Sequence, residues 1–224
     1  MKLFFFVLCI FLGFCVHAEP LNILYKARGA GMHLMDARLE VRENTNGSYR
    51  LHSTAETRGL LNLLVGGKTV FTTIGKIKNN QFVPDRFSIH SKTRKRNVEF
   101  TGSKGIIDYQ TALWRMLNLK YPKTQSFTVD DGRRRMNLTF LYRGKKEITL
   151  NKEDILCDVY EITIRLISGK KGGWFFNRMG NESDPPLTFY MGKDPETGRY
   201  LLLKGTFDTA LFGTITVTKT QKEK

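Results

Sequence analysis

The chain has 224 residues, with 36 Lys or Arg against 21 Asp or Glu, a formal net charge of +15. That length suits one domain, or at most two, with a real hydrophobic core. Only Cys157 lies outside the first 18 residues, so the body of the chain has no internal disulfide and its fold must stand on packing.

Met1-Lys2 is a minimal positive start, and Leu3–Val16 is an apolar run too short to span a bilayer comfortably. Val16-His17-Ala18 puts small residues where a signal peptidase reads, so residues 1–18 are expected to be a Sec-type signal peptide cleaved after Ala18. The alternatives are an uncleaved anchor and a lipoprotein carrying its lipid on Cys15, which Phe14 fits poorly. The expected location is the periplasm, with residues 19–224 as a single β-rich domain. No second stretch approaches membrane-spanning length, so the mature protein is expected to be soluble or peripheral. Lys2 leaves with the leader, and the mature charge is +14. For an exported protein that charge points to anionic lipid headgroups, lipopolysaccharide phosphates and acidic glycans, and away from nucleic acid.

Leu21–Arg28 reads as a strand, followed by a turn at Gly29–Gly31. His33–Glu43 alternates Met35, Ala37, Leu39 and Val41 with Asp36, Arg38 and Glu40. Asn44–Gly47 is a hairpin loop and Ser48–Thr57 a third strand. Arg58–Gly67 interrupts with Leu60-Leu61-Asn62-Leu63-Leu64-Val65, a plug for one end of the sheet or an apolar lip. Strands follow at Lys68–Lys78, Phe82–Lys92 and Lys92–Phe100, the last with a basic beginning.

Asp108–Leu119 changes period. Tyr109, Ala112, Leu113, Met116 and Leu117 share one helical face, with Trp114 beside it and Asp108 where an N-cap acceptor belongs. Tyr121-Pro122 stops this helix. Gln125–Asp130 and Arg134–Arg143 flank Asp131-Gly132, a dipeptide that predicts a type I′ hairpin. Gly144 predicts another turn, into Glu147–Leu150, and Ile155–Ile167 is a long strand. Gly169–Pro186 is an irregular loop carrying Trp174, Phe175, Phe176 and Met179 beside Lys170, Lys171 and Arg178. Strands at Leu187–Met191, Tyr200–Thr206 and Leu211–Lys219 end the domain, with Thr220–Lys224 expected to fray. The sum is roughly a dozen antiparallel strands with one central helix.

No nucleophile elbow, zinc spacing, phosphate loop or paired-carboxylate pattern is present, so no cofactor, metal or catalytic residue is assigned. His33, His52 and His90 fall on three different predicted strands. Asp154, Asp158 and Glu161 read as a solvated face, and Cys157 as a small buried hydrophobe. Basic clusters stand at Arg94-Lys95-Arg96, Arg133-Arg134-Arg135, Lys145-Lys146 and Lys170-Lys171. Gathered at one rim they would form an anion-attracting patch; scattered, they are ordinary solvated turns.

Several segments also carry a resemblance: Tyr25 before the Gly29–Gly31 turn, Thr57-Arg-Gly-Leu-Leu61, Pro84-Asp-Arg-Phe87, Asp108-Tyr-Gln-Thr-Ala-Leu113 and Val129-Asp-Asp-Gly-Arg133. In them the chain resembles the bacterial periplasmic domain of unknown function family 3108 over nearly all of its mature length. It departs at Thr111, where serine is commoner, and near Arg199-Tyr-Leu-Leu202, where a proline is usual. The resemblance brings no active site. It implies an architecture similar to the LolA/LolB lipoprotein-carrier proteins: a single curled antiparallel sheet, an open or half-closed barrel, with the helix against its concave face. Fold analogy of this kind says little about function.

The reading that follows is a non-catalytic envelope protein binding a lipid, an acyl chain or a lipidated polypeptide, with peripheral membrane contact. Met136, Leu138, Phe140, Tyr160, Ile162 and Ile164 would form the wall. Leu113, Trp114, Met116 and Leu117 would be plug or lid, and Trp174 and Phe176 a gate. Arg94, Arg96, Arg133, Arg134, Arg135 and Lys145 would hold the anionic group. The competing readings are an interaction protein that binds a partner or acidic glycan through its basic surface, with a filled interior, and an enzyme with a cleft of converging polar groups.

Overall fold

Period-two alternation of apolar residues makes strands of nearly the whole chain. A computed structural model describes residues 20–59, 62, 67–92, 94–100, 105–169, 187–209 and 212–221. Residues 1–19, Leu60–Val65 apart from Asn62, and residues 170–186, with Trp174 and Phe176, lie outside the described residues.

The strands are β1 (Leu21–Gly29), β2 (Met32–Glu43), β3 (Ser48–Thr57), β4 (Lys68–Lys78), β5 (Gln81–Ser91), β6 (Arg94–Glu99), β7 (Ile106–Ile107), β8 (Gln125–Asp130), β9 (Arg134–Leu150), β10 (Glu153–Gly169), β11 (Leu187–Lys193), β12 (Tyr200–Thr209) and β13 (Gly213–Thr220). The helix α1 (Tyr109–Leu117) lies between β7 and β8 in the chain. All strands belong to one curled, unclosed sheet in the order β6-β5-β4-β3-β2-β1-β13-β12-β11-β10-β9-β8-β7. Two meanders are joined back to back where β1 pairs antiparallel with β13. The sheet is mainly β and antiparallel as expected, except that β7 runs parallel to β8, with Ile106 opposite Thr128.

Strand directions place the turns at 30–31 and 131–133, and the end of β5, at one end, called here the mouth. Those at 44–47, 79–80, 151–152 and 194–199 lie at the other end, the base. Asn79 and Asn80 both take positive φ, at 49° and 58°, the geometry a tight two-residue hairpin requires. The Asp131-Gly132 turn differs from expectation. Only Gly132 has positive φ, and the loop runs to Arg133, with Asp131 N–H bonded to the Arg134 carbonyl at 3.1 Å. Asp131 Oδ1 accepts from the backbone N–H of both Arg133 and Arg134, which stabilises the longer loop. Gly144 does not end a strand: β9 continues through it, the extra residue being absorbed where the register shifts between Val159 and Tyr160. Thr220 does not fray, because it pairs with Leu24.

One large core joins both meanders to the helix, through Ile23, Tyr49 and Leu51 on one side and Phe140, Tyr160 and Leu201 on the other. Smaller clusters form around Ala27, Leu34, Phe212 and Ile215, and around Phe87, Ile89 and Phe100. Cys157 is fully buried, and burial and the nearby Asp158 push its thiol up to about 11, so it packs as an inert hydrophobe. Gly75 is a close-approach position: a Cβ there would lie 2.2 Å from the Val83 carbonyl oxygen and 2.6 Å from Tyr49 Cε1. Gly75→Ala is therefore expected to destabilise by about 2 kcal/mol, within the range for overpacking. An unchanged urea midpoint would show that β5 yields freely.

Candidate functional site

The helix is fastened into the base half of the sheet by a buried polar network. Asp108, fully buried, caps it: Oδ1 accepts from the backbone N–H of Gln110 and Thr111 at 2.9 and 3.0 Å and from Thr73 Oγ1 at 2.9 Å. Thr111 Oγ1 donates to Oδ2 at 2.6 Å, and the Tyr49 hydroxyl lies 3.1 Å from Thr111 Oγ1. Ser53 on β3 donates to Gln110 Oε1. At the other end Arg115 donates to the Phe82 carbonyl at 2.7 Å and Trp114 Nε1 to Glu43. Edge-to-face contacts of Tyr109 with Phe87 and of Phe82 with Trp114 and Tyr49 complete the attachment. Trp114 is thus buried with Ala112, Met116 and Leu117, while Leu113 is half-buried.

This packing supports a plug rather than a lid. Withdrawing the helix would strand the Asp108, Thr73 and Tyr49 polar groups, each at about 1–3 kcal/mol. Burial outweighs the hydrogen bonds at Asp108 and raises its carboxyl above the usual range; burial likewise raises the Tyr49 hydroxyl.

The expected wall residues are brought together. Phe140 faces Ile162 across the β9–β10 ladder, Leu138 faces Ile164 and Met136 faces Leu166. Met136, Leu138, Phe140, Tyr160 and Ile162 are buried. Towards the mouth the strip opens on β10, where Ile164 and Leu166 are only partly buried while Met136 beside Leu166 stays buried. Phe127 opposite Leu138, and Leu187 and Phe189 opposite Ile162 and Tyr160, are also partly buried. Asp108 meets β4 at its middle and Arg115 meets β5 near its start, so the helix runs from mid-sheet towards the base.

The basic residues divide. Arg96 and Arg134 both approach Asp131 Oδ2, at 3.7 and 3.8 Å, and Arg135 reaches Asp130 at 3.2 Å. Arg133 is exposed beside them, and Arg94 begins the same strand as Arg96. Lys145 is ten residues further along β9, about 33 Å at strand rise, opposite Asp158. It therefore belongs to the base half and not to the arginine group, because an extended strand separates what sequence proximity suggests is near. Arg133, Arg134 and Arg135 line a groove of about 500 Å³, walled by Asn97, Val98 and Glu99 on one side and by Asp130, Gly132, these arginines and Ser168 on the other. The groove marks a seam. Here the two free edges of the sheet approach without a ladder, and a Cβ on Gly132 would lie 2.7 Å from Val98 Cγ2.

Two polar clusters gave no sequence signal. Asp158, read above as part of a solvated face, is buried instead, and accepts from the Tyr200 hydroxyl at 2.7 Å and the Tyr142 hydroxyl at 3.2 Å. Burial and Asp158 push the Tyr160 hydroxyl up to about 12, and both also raise the Tyr142 and Tyr200 hydroxyls. At the base, buried Lys219 pairs with Asp194 at 2.9 Å and Glu196 at 2.7 Å beside a cavity of about 190 Å³. His33 pairs with Asp36, His52 lies 3.0 Å from Thr72 Oγ1, and His90 is exposed on β5. Among the described residues no three His, Cys, Asp or Glu side chains are grouped to hold a metal.

No family model and no curated protein matches the chain. Among solved structures it is similar to a β-barrel-like protein of domain of unknown function DUF1849 from Brucella abortus. That match has 10% identity, 90% of this chain and 96% of the other covered, and a TM-score of 0.49. It is also similar to a putative lipoprotein from Parabacteroides distasonis, at 12% identity, 91% and 94% coverage and a TM-score of 0.35. A third is LprF from Mycobacterium bovis, at 10% identity, 91% and 85% coverage and a TM-score of 0.34.

Proposed function

We propose that this is an exported, non-catalytic envelope protein that holds an apolar chain, an acyl chain or that of a lipidated polypeptide, in the mouth half of its curled sheet. The carrying observation is the apolar strip that passes from buried Tyr160 and Ile162 to half-open Ile164 and Leu166 along β10, flanked by the partly buried Leu187, Phe189 and Phe127, with the helix fixed in the base half. The helix serves as the floor, and arginines at the mouth draw the anionic end. The signal peptide at residues 1–18, a periplasmic location, and kinship with the family numbered 3108 belong to the same reading. Separated histidines and protonated tyrosines fit a binder better than an enzyme.

Uptake of the uncharged probe N-phenyl-1-naphthylamine by purified protein tests it, together with native mass spectrometry for co-purifying lipid. Leu166→Trp fills the mouth and is expected to cut probe affinity at least about tenfold, a loss of about 1.4 kcal/mol, while leaving unfolding unchanged. No probe uptake and no lipid would sink the reading. The second reading, an interaction protein with a packed interior, is favoured by the burial of the deep wall residues. It predicts salt-sensitive partner binding that survives Leu166→Trp.

A further inference from the structure

We infer that the seam groove is a binding site for a phosphate-type anion, gripped by Arg133 and Arg135 while Arg96 and Arg134 fix the hairpin tip. It deepens the proposed function by locating the headgroup, and rests on that reading for the ligand's source though not for the anion itself.

The tip is held before any ligand arrives. Asp131 is buried, its Oδ1 taken by two backbone N–H groups at 2.8 Å and its Oδ2 approached by Arg96 and Arg134. One carboxylate thus serves two guanidinium groups, and the groove lining sets three arginines, Arg133, Arg134 and Arg135, against two carboxylates, Glu99 and Asp130. Glu99 on the far wall stands opposite Arg86 in the β5–β6 register. Among the described residues no carboxylate lies within ion-pair reach of Arg133. Arg135 shares an exposed pair with Asp130, and such pairs contribute little and exchange readily. Two adjacent planar donor forks at the mouth of a polar groove suit the several oxygens of a phosphate.

The position suits an amphiphile. Arg135 and Met136 are consecutive and alternate across β9, Arg135 exposed and Met136 buried against Leu166 in the apolar strip. β9 itself is laddered to β8 and β10, and the unladdered edges are those of β6 and β7, so an alkyl chain would pass from the groove to the strip at that seam.

Calorimetry on the mature chain tests this with inorganic phosphate and, separately, with a water-soluble short-chain phosphatidic acid. Arg133→Glu with Arg135→Glu is expected to weaken both at least about tenfold, and Arg133→Gln with Arg135→Gln serves if the reversal does not fold. Lys145→Glu with Lys146→Glu should change neither. Equal affinities would identify free phosphate as the ligand, and tighter phosphatidic acid would identify a lipid headgroup; both support the site. No phosphate binding by the wild type, or equal loss in the Lys145/Lys146 control, overturns it. Probe uptake that persists in the arginine variant would separate failure here from failure of the proposed function. Phosphate binding that persists in Leu166→Trp would separate the reverse.

Discussion

Asp108→Ala is expected to lower the unfolding free energy by about 3–5 kcal/mol, a large part of the about 5–15 kcal/mol typical of a domain. An N-cap alone contributes about 1–2 kcal/mol. Here the same carboxylate also satisfies Thr73 and the Thr111 hydroxyl, in a site with no exposure. Alanine leaves those donors buried and unpaired, which adds the desolvation cost. Asp108→Asn keeps an acceptor for the backbone N–H groups and should lose less than half as much. The pH dependence has a definite sign. Burial raises the folded carboxyl above the unfolded value near about 3.9. The group's contribution is therefore greatest below about pH 3.9 and falls as pH rises through the folded value. Urea titrations of wild type and Asp108→Asn should diverge as pH increases across the acid range, with the asparagine variant gaining. A constant difference would show that Asp108 does not titrate as its burial implies.

Lys219→Ala should cost a comparable about 3–5 kcal/mol, the range for breaking a buried ion pair from one side. The variant strands the buried Asp194 carboxylate, whose Oδ2 also takes the N–H and hydroxyl of Thr197 in the base turn. Adding Asp194→Asn should recover about 1 kcal/mol or more, since neighbours in one network are not additive. Burial lowers the Lys219 ammonium, but its two carboxylate partners more than offset this and raise it. Its contribution is then full below the unfolded value of about 10.4 and lost only at higher pH. Stability loss in the variant that varied between neutral pH and pH 9 would contradict that assignment.

The strands and the helix were legible because their signals are local: alternation in β2, the 3.6-residue period in α1, and a cap at Asp108. The burial of Met136, Leu138 and Phe140 was legible too, since they alternate on one strand. What escaped is pairing across long separations. Nothing near residue 97 announces residue 132, and nothing near Tyr200 announces Asp158. The basic clusters show the limit plainly. Arg135 and Lys145 are close in sequence, yet extended geometry sends them to opposite ends, while Arg96 and Arg134 meet on one carboxylate.

The pairing of β1 with β13 has a kinetic consequence. Leu24 meets Thr220 and Arg28 meets Thr216, so the central ladder of the sheet joins the first strand to the last. A chain synthesised from its N-terminus delivers β1 long before its neighbour exists. Until β13 arrives, the β1–β6 meander presents an open, hydrogen-bond-hungry edge, the feature that invites strand exchange between copies. High contact order of this kind slows folding, and the exposed interval lasts until the last strand has been made. Removing residues 213–224 should therefore leave a chain that aggregates rather than a smaller soluble domain.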